Sequence, residues 1–126
     1  MKKLLLLFLL IPLFANSQLV IFCENVDHIG NPKNASPEFT VSEKGGFLKL
    51  LVKLKRKVNT NSVVIDIFRM KGEKRELDNS INMKVNPFMT WFYKEVTFYK
   101  EGEYQVNVYD ENGKMLAVGK VLIKTK

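Results

Sequence analysis

Apolar and polar side chains alternate with a period of two along most of the chain after residue 17. This alternation is typical of β-strands with one buried face, because successive strand side chains point to opposite faces of a sheet. In the segment 47–57, leucine or valine occupies each even position from 48 to 54, and lysine occupies most odd positions. Helices are not expected, and the chain is predicted to be all-β.

Seven or eight short strands are predicted, separated by turn sequences rich in Asn, Gly, Pro and Ser. Turn signals at intervals of roughly 8 to 12 residues are typical of β-sandwiches and barrels, and we predict an antiparallel sandwich. The polar stretch 24–37 is predicted to be a long loop or a loosely held edge. The strand candidates before the last hairpin are 19–23, 39–41, 47–57, 63–70, 77–85 and 88–99.

The last hairpin has the most specific local signal. Asn112-Gly113 is a preferred pair for a two-residue turn in which both residues have positive φ. Such a loop places the apolar residues of both strands on one face. The predicted pairs are Val108 with Ala117, Val106 with Gly119 and Tyr104 with Val121. A three-residue loop with a bulge at Gly113 would set Tyr104 opposite Lys120, so the even-length loop is favoured.

The stretch from Gly102 to Gly113 resembles the penultimate strand and final hairpin of bacterial immunoglobulin-like domains. In that family a tyrosine after a glycine turn forms a tyrosine corner, so the resemblance implies this role for Tyr104. It covers about the last quarter of the chain and implies an immunoglobulin-like β-sandwich. The paired cysteines and central tryptophan of antibody-type domains are absent as a set, so only the broad sandwich class is implied.

Residues 1–17 have the features of a secretory signal peptide. Two lysines precede an unbroken apolar run from Leu4 to Ala15. The run is shorter than the roughly 20 residues needed to span a bilayer. We predict cleavage before Gln18 and one exported domain at 18–126, periplasmic or extracellular, with no integral membrane segment in the mature chain.

The net positive charge of the chain indicates which classes of partner it could bind. Without the two lysines of the signal peptide, 18 basic residues stand against 13 acidic ones, a net charge of +5. An exported protein rarely meets nucleic acid, so an envelope protein or glycan is the expected partner and nucleic acid is not. The main basic patch comprises Lys49, Lys53, Lys55 and Lys57. A solvated sheet face or a lysine-protected edge strand also explains this patch and is the favoured interpretation.

Side chains for catalysis or metal binding are scarce. Cys23 and His28 are the only cysteine and the only histidine. They form no triad, and Glu24 or Asp27 beside them gives no repeated ligand spacing. We therefore expect no enzyme, no metal site and no cofactor. A lipid on Cys23 would compete with signal-peptide cleavage before Gln18, but lipidation sites have a small residue before the cysteine and this chain has Phe.

The sharpest candidate site is aromatic. In the predicted strand 88–99, Trp91, Tyr93 and Tyr99 share odd parity, while Phe92 and Phe98 have even parity. If the even face is the core, the odd aromatics lie outside, where flat rings with polar edges stack on sugars or anchor proteins. The alternative is a bulge that flips the strand and buries Trp91.

These observations predict a non-catalytic exported binding or structural domain of the bacterial envelope. One alternative is a carbohydrate-binding module that uses Trp91, Tyr93 and Tyr99. Another is a periplasmic inhibitor or accessory subunit that docks a protein through its loops or through the basic strand. The fold by itself does not choose between them, because sandwich domains host many unrelated functions.

Overall fold

The structure is a computed structural model that describes residues 18–126. The predicted signal peptide lies outside the described residues. Within 18–126 there are ten strands and no helix, so none that could cross a membrane. The all-β prediction is confirmed. The strands are β1 (Gln18–Cys23), β2 (Asn25–Val26), β3 (Pro32–Lys33), β4 (Glu38–Val41), β5 (Gly46–Lys53), β6 (Ser62–Lys71), β7 (Lys74–Lys84), β8 (Trp91–Phe98), β9 (Gly102–Tyr109) and β10 (Met115–Thr125).

Seven strands follow one another in a curled sheet in the order β7-β6-β9-β10-β1-β5-β8, and β4 pairs with β10 beside this path. β1 joins the two halves of the sheet. Gln18 and Leu19 pair in parallel with β10, and Val20 to Cys23 pair antiparallel with β5. β4 also runs parallel to β10. The prediction of an all-antiparallel arrangement is therefore wrong, and the sheet is mixed.

The inward side chains of both halves form one hydrophobic cluster. In β5 and β8 the apolar even-numbered residues face it, as their parity predicts: Leu48, Leu50 and Val52, with Phe92, Val96 and Phe98, are buried. Tyr104 of β9 lies in the same cluster, its ring 4.8 Å from that of Phe98 in an edge-to-face contact. The parity of the apolar residues thus correctly identifies the buried face of these strands.

The last hairpin has the predicted register but a different turn. Val108 pairs with Ala117, Val106 with Gly119 and Tyr104 with Val121, as predicted. At the tip, however, the amide of Asp110 donates to the carbonyl of Lys114 and only Gly113 has positive φ, which is the three-residue loop that the prediction rejected. The carboxylate of Asp110 accepts the amides of Asn112 and Lys114 and so favours this loop. A bulge between Met115 and Ala117 then restores the register.

Three predicted boundaries need correction. β5 ends at Lys53, not residue 57, because residues 55–57 leave the sheet as an exposed excursion before the amide of Val58 donates to the carbonyl of Met89 at 2.8 Å. Val58 is buried, so the apolar residue returns to the core while the three cations stay in water. β8 begins at Trp91, not at 88. The stretch 24–37 is no simple loop: β2 and β3 form a small hairpin.

Candidate functional site

The outer face of β5 and β8 carries most of the predicted site residues. β8 pairs with β5 in unbroken register from Phe98, opposite Gly46, to Trp91, opposite Lys53. The alternative in which a bulge flips β8 is therefore wrong. Because the even residues of β8 face the core, the odd ones project outward, Trp91 and Tyr93 among them. We call Trp91, Tyr93, Lys49 and Glu95 the aromatic face.

Trp91 and Tyr93 lie side by side on this face. Their ring centroids are 6.5 Å apart and the ring planes differ by 9°. Tyr93 is 42% exposed, and the Nζ of Lys49 lies 5.7 Å from its ring centroid. The same Nζ is 3.5 Å from a carboxylate oxygen of Glu95. The face therefore combines two nearly parallel rings with a cation and a carboxylate beside them.

The hairpin formed by β2 and β3 lies against one end of this face. Gly30, at its tip, is buried, and its backbone lies against the indole of Trp91, which is itself partly buried. Asp27 holds the turn, accepting the amides of Ile29 at 3.0 Å and Asn31 at 2.8 Å. The hydrogen bond from the Asn31 amide is the main cause of the lowered pKa of the Asp27 carboxyl.

Tyr99 does not belong to the aromatic face. It lies one residue beyond the end of β8 and six residues beyond Tyr93, a separation of about 20 Å along an extended chain. Its ring packs against Gly45 and is 64% exposed. The structure thus brings Trp91 and Tyr93 together and places Tyr99 at the opposite end of the strand, where a single sugar ring bound at Trp91 would not reach it.

The predicted basic patch is split. Lys49 and Lys53 lie on the outer face of β5, next to Tyr93 and Trp91, whereas Lys55 and Lys57 lie in the excursion beyond the strand. β5 has paired neighbours on both sides, β1 and β8, so it is not a lysine-protected edge strand and that interpretation is wrong. The accessory-subunit hypothesis consequently has no continuous basic strand through which to dock a partner.

No model of a known protein family matches the chain, and no curated protein matches it.

A cleft of about 560 Å³ lies between the excursion after β5 and the turn between β9 and β10. We call it the basic cleft. Its lining residues are Leu54, Lys55, Arg56, Lys57, Val58, Asn59, Asp110, Lys114, Met115 and Leu116. The predicted basic patch includes Lys55 and Lys57 of this cleft but not Lys114, which is 57 positions away from Lys57 in the chain. The pairing of strands alone brings the two segments together, and no local pattern indicates it.

The two residues weighed for nucleophilic chemistry have different surroundings. Cys23 is fully buried, and this burial raises the pKa of its thiol. Its Sγ lies 3.8 Å from the carbonyl oxygen of Lys49. His28 is exposed in the turn of the hairpin. Over residues 18–126, no three side chains of His, Cys, Asp or Glu cluster in a way that would hold a metal ion.

Proposed function

We propose that the chain is an exported, non-catalytic, immunoglobulin-like binding domain of the bacterial envelope, and that its aromatic face binds a glycan. The observation that carries this proposal is the pairing of Trp91 with the half-exposed Tyr93 in nearly parallel planes. Sugar rings stack on flat aromatic side chains and form hydrogen bonds with charged groups at the edge of the rings. Lys49 and Glu95 supply such groups beside Tyr93.

The immunoglobulin-like part of the proposal is supported by Tyr104. Its hydroxyl donates to the backbone carbonyl of Lys100, four residues earlier, at 2.7 Å, and its side chain is 2% exposed. This is the hydrogen bond of a tyrosine corner. The division of β1 between the two halves of the sheet is compatible with a sandwich in which the first strand contributes to both layers.

Export is supported by the charged and apolar sequence of residues 1–17 together with the position of β1. The predicted cleavage before Gln18 keeps all of the strand that the structure describes, Gln18–Cys23. A lipidated chain that began at Cys23 would lack Val20 and Phe22, which are 6% and 3% exposed. Losing two core side chains would cost several kcal/mol, so the structure favours the first cleavage site.

The absence of catalysis is supported by the surroundings of the one thiol. Cys23 is enclosed, and a raised thiol pKa keeps it protonated and therefore a poor nucleophile at neutral pH. His28 is exposed, so the two side chains have different surroundings. Binding, rather than turnover, is the function that the aromatic face supports.

The test is a titration of the 18–126 domain with soluble peptidoglycan strands, followed by Trp91 fluorescence and calorimetry. Replacing Tyr93→Ala should weaken binding by about tenfold, because one stacking contact contributes about 0.5–1.5 kcal/mol beyond its buried area. Tyr99→Ala is the matched control: it removes the same ring from an exposed position at the far end of β8 and should leave affinity unchanged. Equal losses in both variants, or no binding by the parent domain, would contradict the proposal.

A further inference from the structure

The basic cleft has an excess of positive charge. Lys55, Arg56, Lys57 and Lys114 line it, and Asp110 is its only carboxylate. The Asp110 carboxylate is already engaged, since one oxygen accepts the amides of Asn112 and Lys114 at 2.9 Å. Three positive charges in consecutive residues and a fourth across the cleft make the local electrostatic potential more positive, and this attracts an anion.

These cations also form no ion pair within the described residues. Four other lysines of the described chain each lie within 4.0 Å of a glutamate: Lys49, Lys71, Lys120 and Lys124. Within residues 18–126, no ion pair involves a cation of the basic cleft. The cations of the basic cleft are therefore available to an external anion.

The walls of the cleft are partly apolar. Leu54, Val58 and Leu116 line it beside the cations, and Met115 is 42% exposed. Phe88 does not line the cleft but is 72% exposed, and the Nζ of Lys57 lies 5.4 Å from its ring centroid. A ligand with an anionic group and an apolar group would contact both the cations and the apolar walls of the cleft. An inorganic anion would contact only the cations.

Backbone hydrogen bonds hold both sides of the cleft to one frame. After the excursion, the amides of Val58 and Asn59 donate to the carbonyls of Met89 and Pro87. Across the cleft, the amide of Glu111 donates to the hydroxyl oxygen of Thr60 at 3.3 Å. The separation of the two basic segments is thereby set by the fold before any ligand arrives, which lowers the cost of binding.

We propose that the basic cleft binds a phosphate group carried on an apolar ligand. Arg56 offers a planar set of donors suited to phosphate oxygens, and the lysines act as point charges around it. The apolar walls would contact the glycerol or acyl part of the ligand. Such a group occurs in the headgroup of an anionic phospholipid and in a free phosphorylated amphiphile. This site is separate from the aromatic face and does not depend on glycan binding.

The experiment compares two variants of the 18–126 domain with equal net charge. K55Q/R56Q/K57Q removes three cations from the cleft, and K44Q/K74Q/K100Q removes three exposed cations near the opposite ends of the strands. Binding is measured by co-sedimentation with vesicles of phosphatidylglycerol or phosphatidylcholine, and by calorimetry with soluble dihexanoyl phosphatidic acid and with inorganic phosphate.

We expect the parent domain to bind the phosphatidylglycerol vesicles and not the phosphatidylcholine vesicles. The cleft variant should lose at least about tenfold in affinity and the control at most about threefold, since the control changes only the long-range field. Binding of the soluble amphiphile identifies a free ligand as a source, and binding to vesicles alone identifies a membrane. Equal losses in the two variants, or no binding to either source, would overturn the proposal.

A third variant tests the apolar part. Met115→Ser leaves all four cations in place and removes an exposed apolar side chain from the cleft wall. It should weaken binding of the dihexanoyl ligand several-fold and leave the affinity for inorganic phosphate unchanged. If neither affinity falls, the cleft recognises phosphate alone and the amphiphile assignment is wrong. Retained folding of each variant is checked by the Trp91 emission spectrum.

Discussion

Gly30 lies directly against the indole ring of Trp91. A Cβ added to Gly30 would lie 2.6 Å from Cδ2 of the ring and 2.7 Å from Cε2, distances that no real contact tolerates. Gly30 also has a φ of +87°, which side chains disfavour. Only glycine therefore allows the hairpin of β2 and β3 to rest on Trp91, and this contact fixes how much of the indole is exposed at the aromatic face.

Replacing Gly30→Ala should lower the free energy of unfolding by about 2–5 kcal/mol. Positive φ costs an L-residue about 1–2 kcal/mol, and the forced displacement of Trp91 or the hairpin adds about 1–3 kcal/mol. Urea denaturation monitored by Trp91 emission measures this difference in unfolding free energy. Gly113→Ala is the control, because its φ of +81° imposes similar strain while nothing lies within 4 Å of the added Cβ. Similar losses in both variants would show that the ring contact is unimportant.

Tyr104→Phe should lower the free energy of unfolding by about 1 kcal/mol, the usual net value of one hydrogen bond, since it removes the bond to the Lys100 carbonyl. This advantage of the parent protein should depend on pH. Burial raises the pKa of the Tyr104 hydroxyl, so the folded state holds this proton more tightly than the unfolded state. The advantage is complete below the ordinary tyrosine pKa of about 10 and declines as pH rises above it. Denaturation of both proteins from pH 7 to 11 tests this trend.

Parity predicted the buried face of the sheet well, and it failed where a second layer covers the outer face. In β5, Leu51 has odd parity and was expected on the solvated side, yet it is fully buried, as is Cys23 in β1. β2 contacts β5, and Gly30 covers part of Trp91. The hairpin responsible is a polar stretch with two-residue strands, whose sequence does not indicate that it folds back over a sheet.

Of the two candidate sites, the sequence correctly predicted the shared sheet face of one and not of the other. That Trp91 and Tyr93 share a face follows from their spacing of two residues. The basic patch is not brought together in the same way. Its four lysines share one sheet face only if β5 continues to residue 57. The chain instead leaves the sheet after Leu54, whose amide donates to the carbonyl of Thr90. Alternating lysines are compatible with a strand and equally with an exposed excursion, so only the return of Val58 to the core decides between them.

Gly119→Ala should separate β1 from β10. An added Cβ would lie 2.5 Å from the carbonyl oxygen of Val20 and 2.8 Å from its Cβ, at the place where β1 leaves β10 for β5. A backbone atom cannot move aside as a flexible side chain can, so we expect a loss of at least about 2 kcal/mol in unfolding free energy. Gly72→Ala, where nothing lies within 4 Å, serves as the comparison. A smaller loss for Gly119→Ala than for Gly72→Ala would mean that the backbone of Val20 lies farther from Gly119 than in the structure.

The thiol of Cys23 should report on opening of the hairpin of β2 and β3. It is fully buried, and burial raises its pKa, so a thiol reagent should label the native 18–126 domain far more slowly than the urea-unfolded chain. Because Gly30 anchors the same hairpin to Trp91, Gly30→Ala should speed labelling of the folded protein by about tenfold or more, the factor given by 1.4 kcal/mol of local destabilisation. Gly113→Ala, strained at a distant turn, should change the rate little. Rapid stoichiometric labelling of the native parent protein would show that the thiol is accessible and that the hairpin does not enclose it.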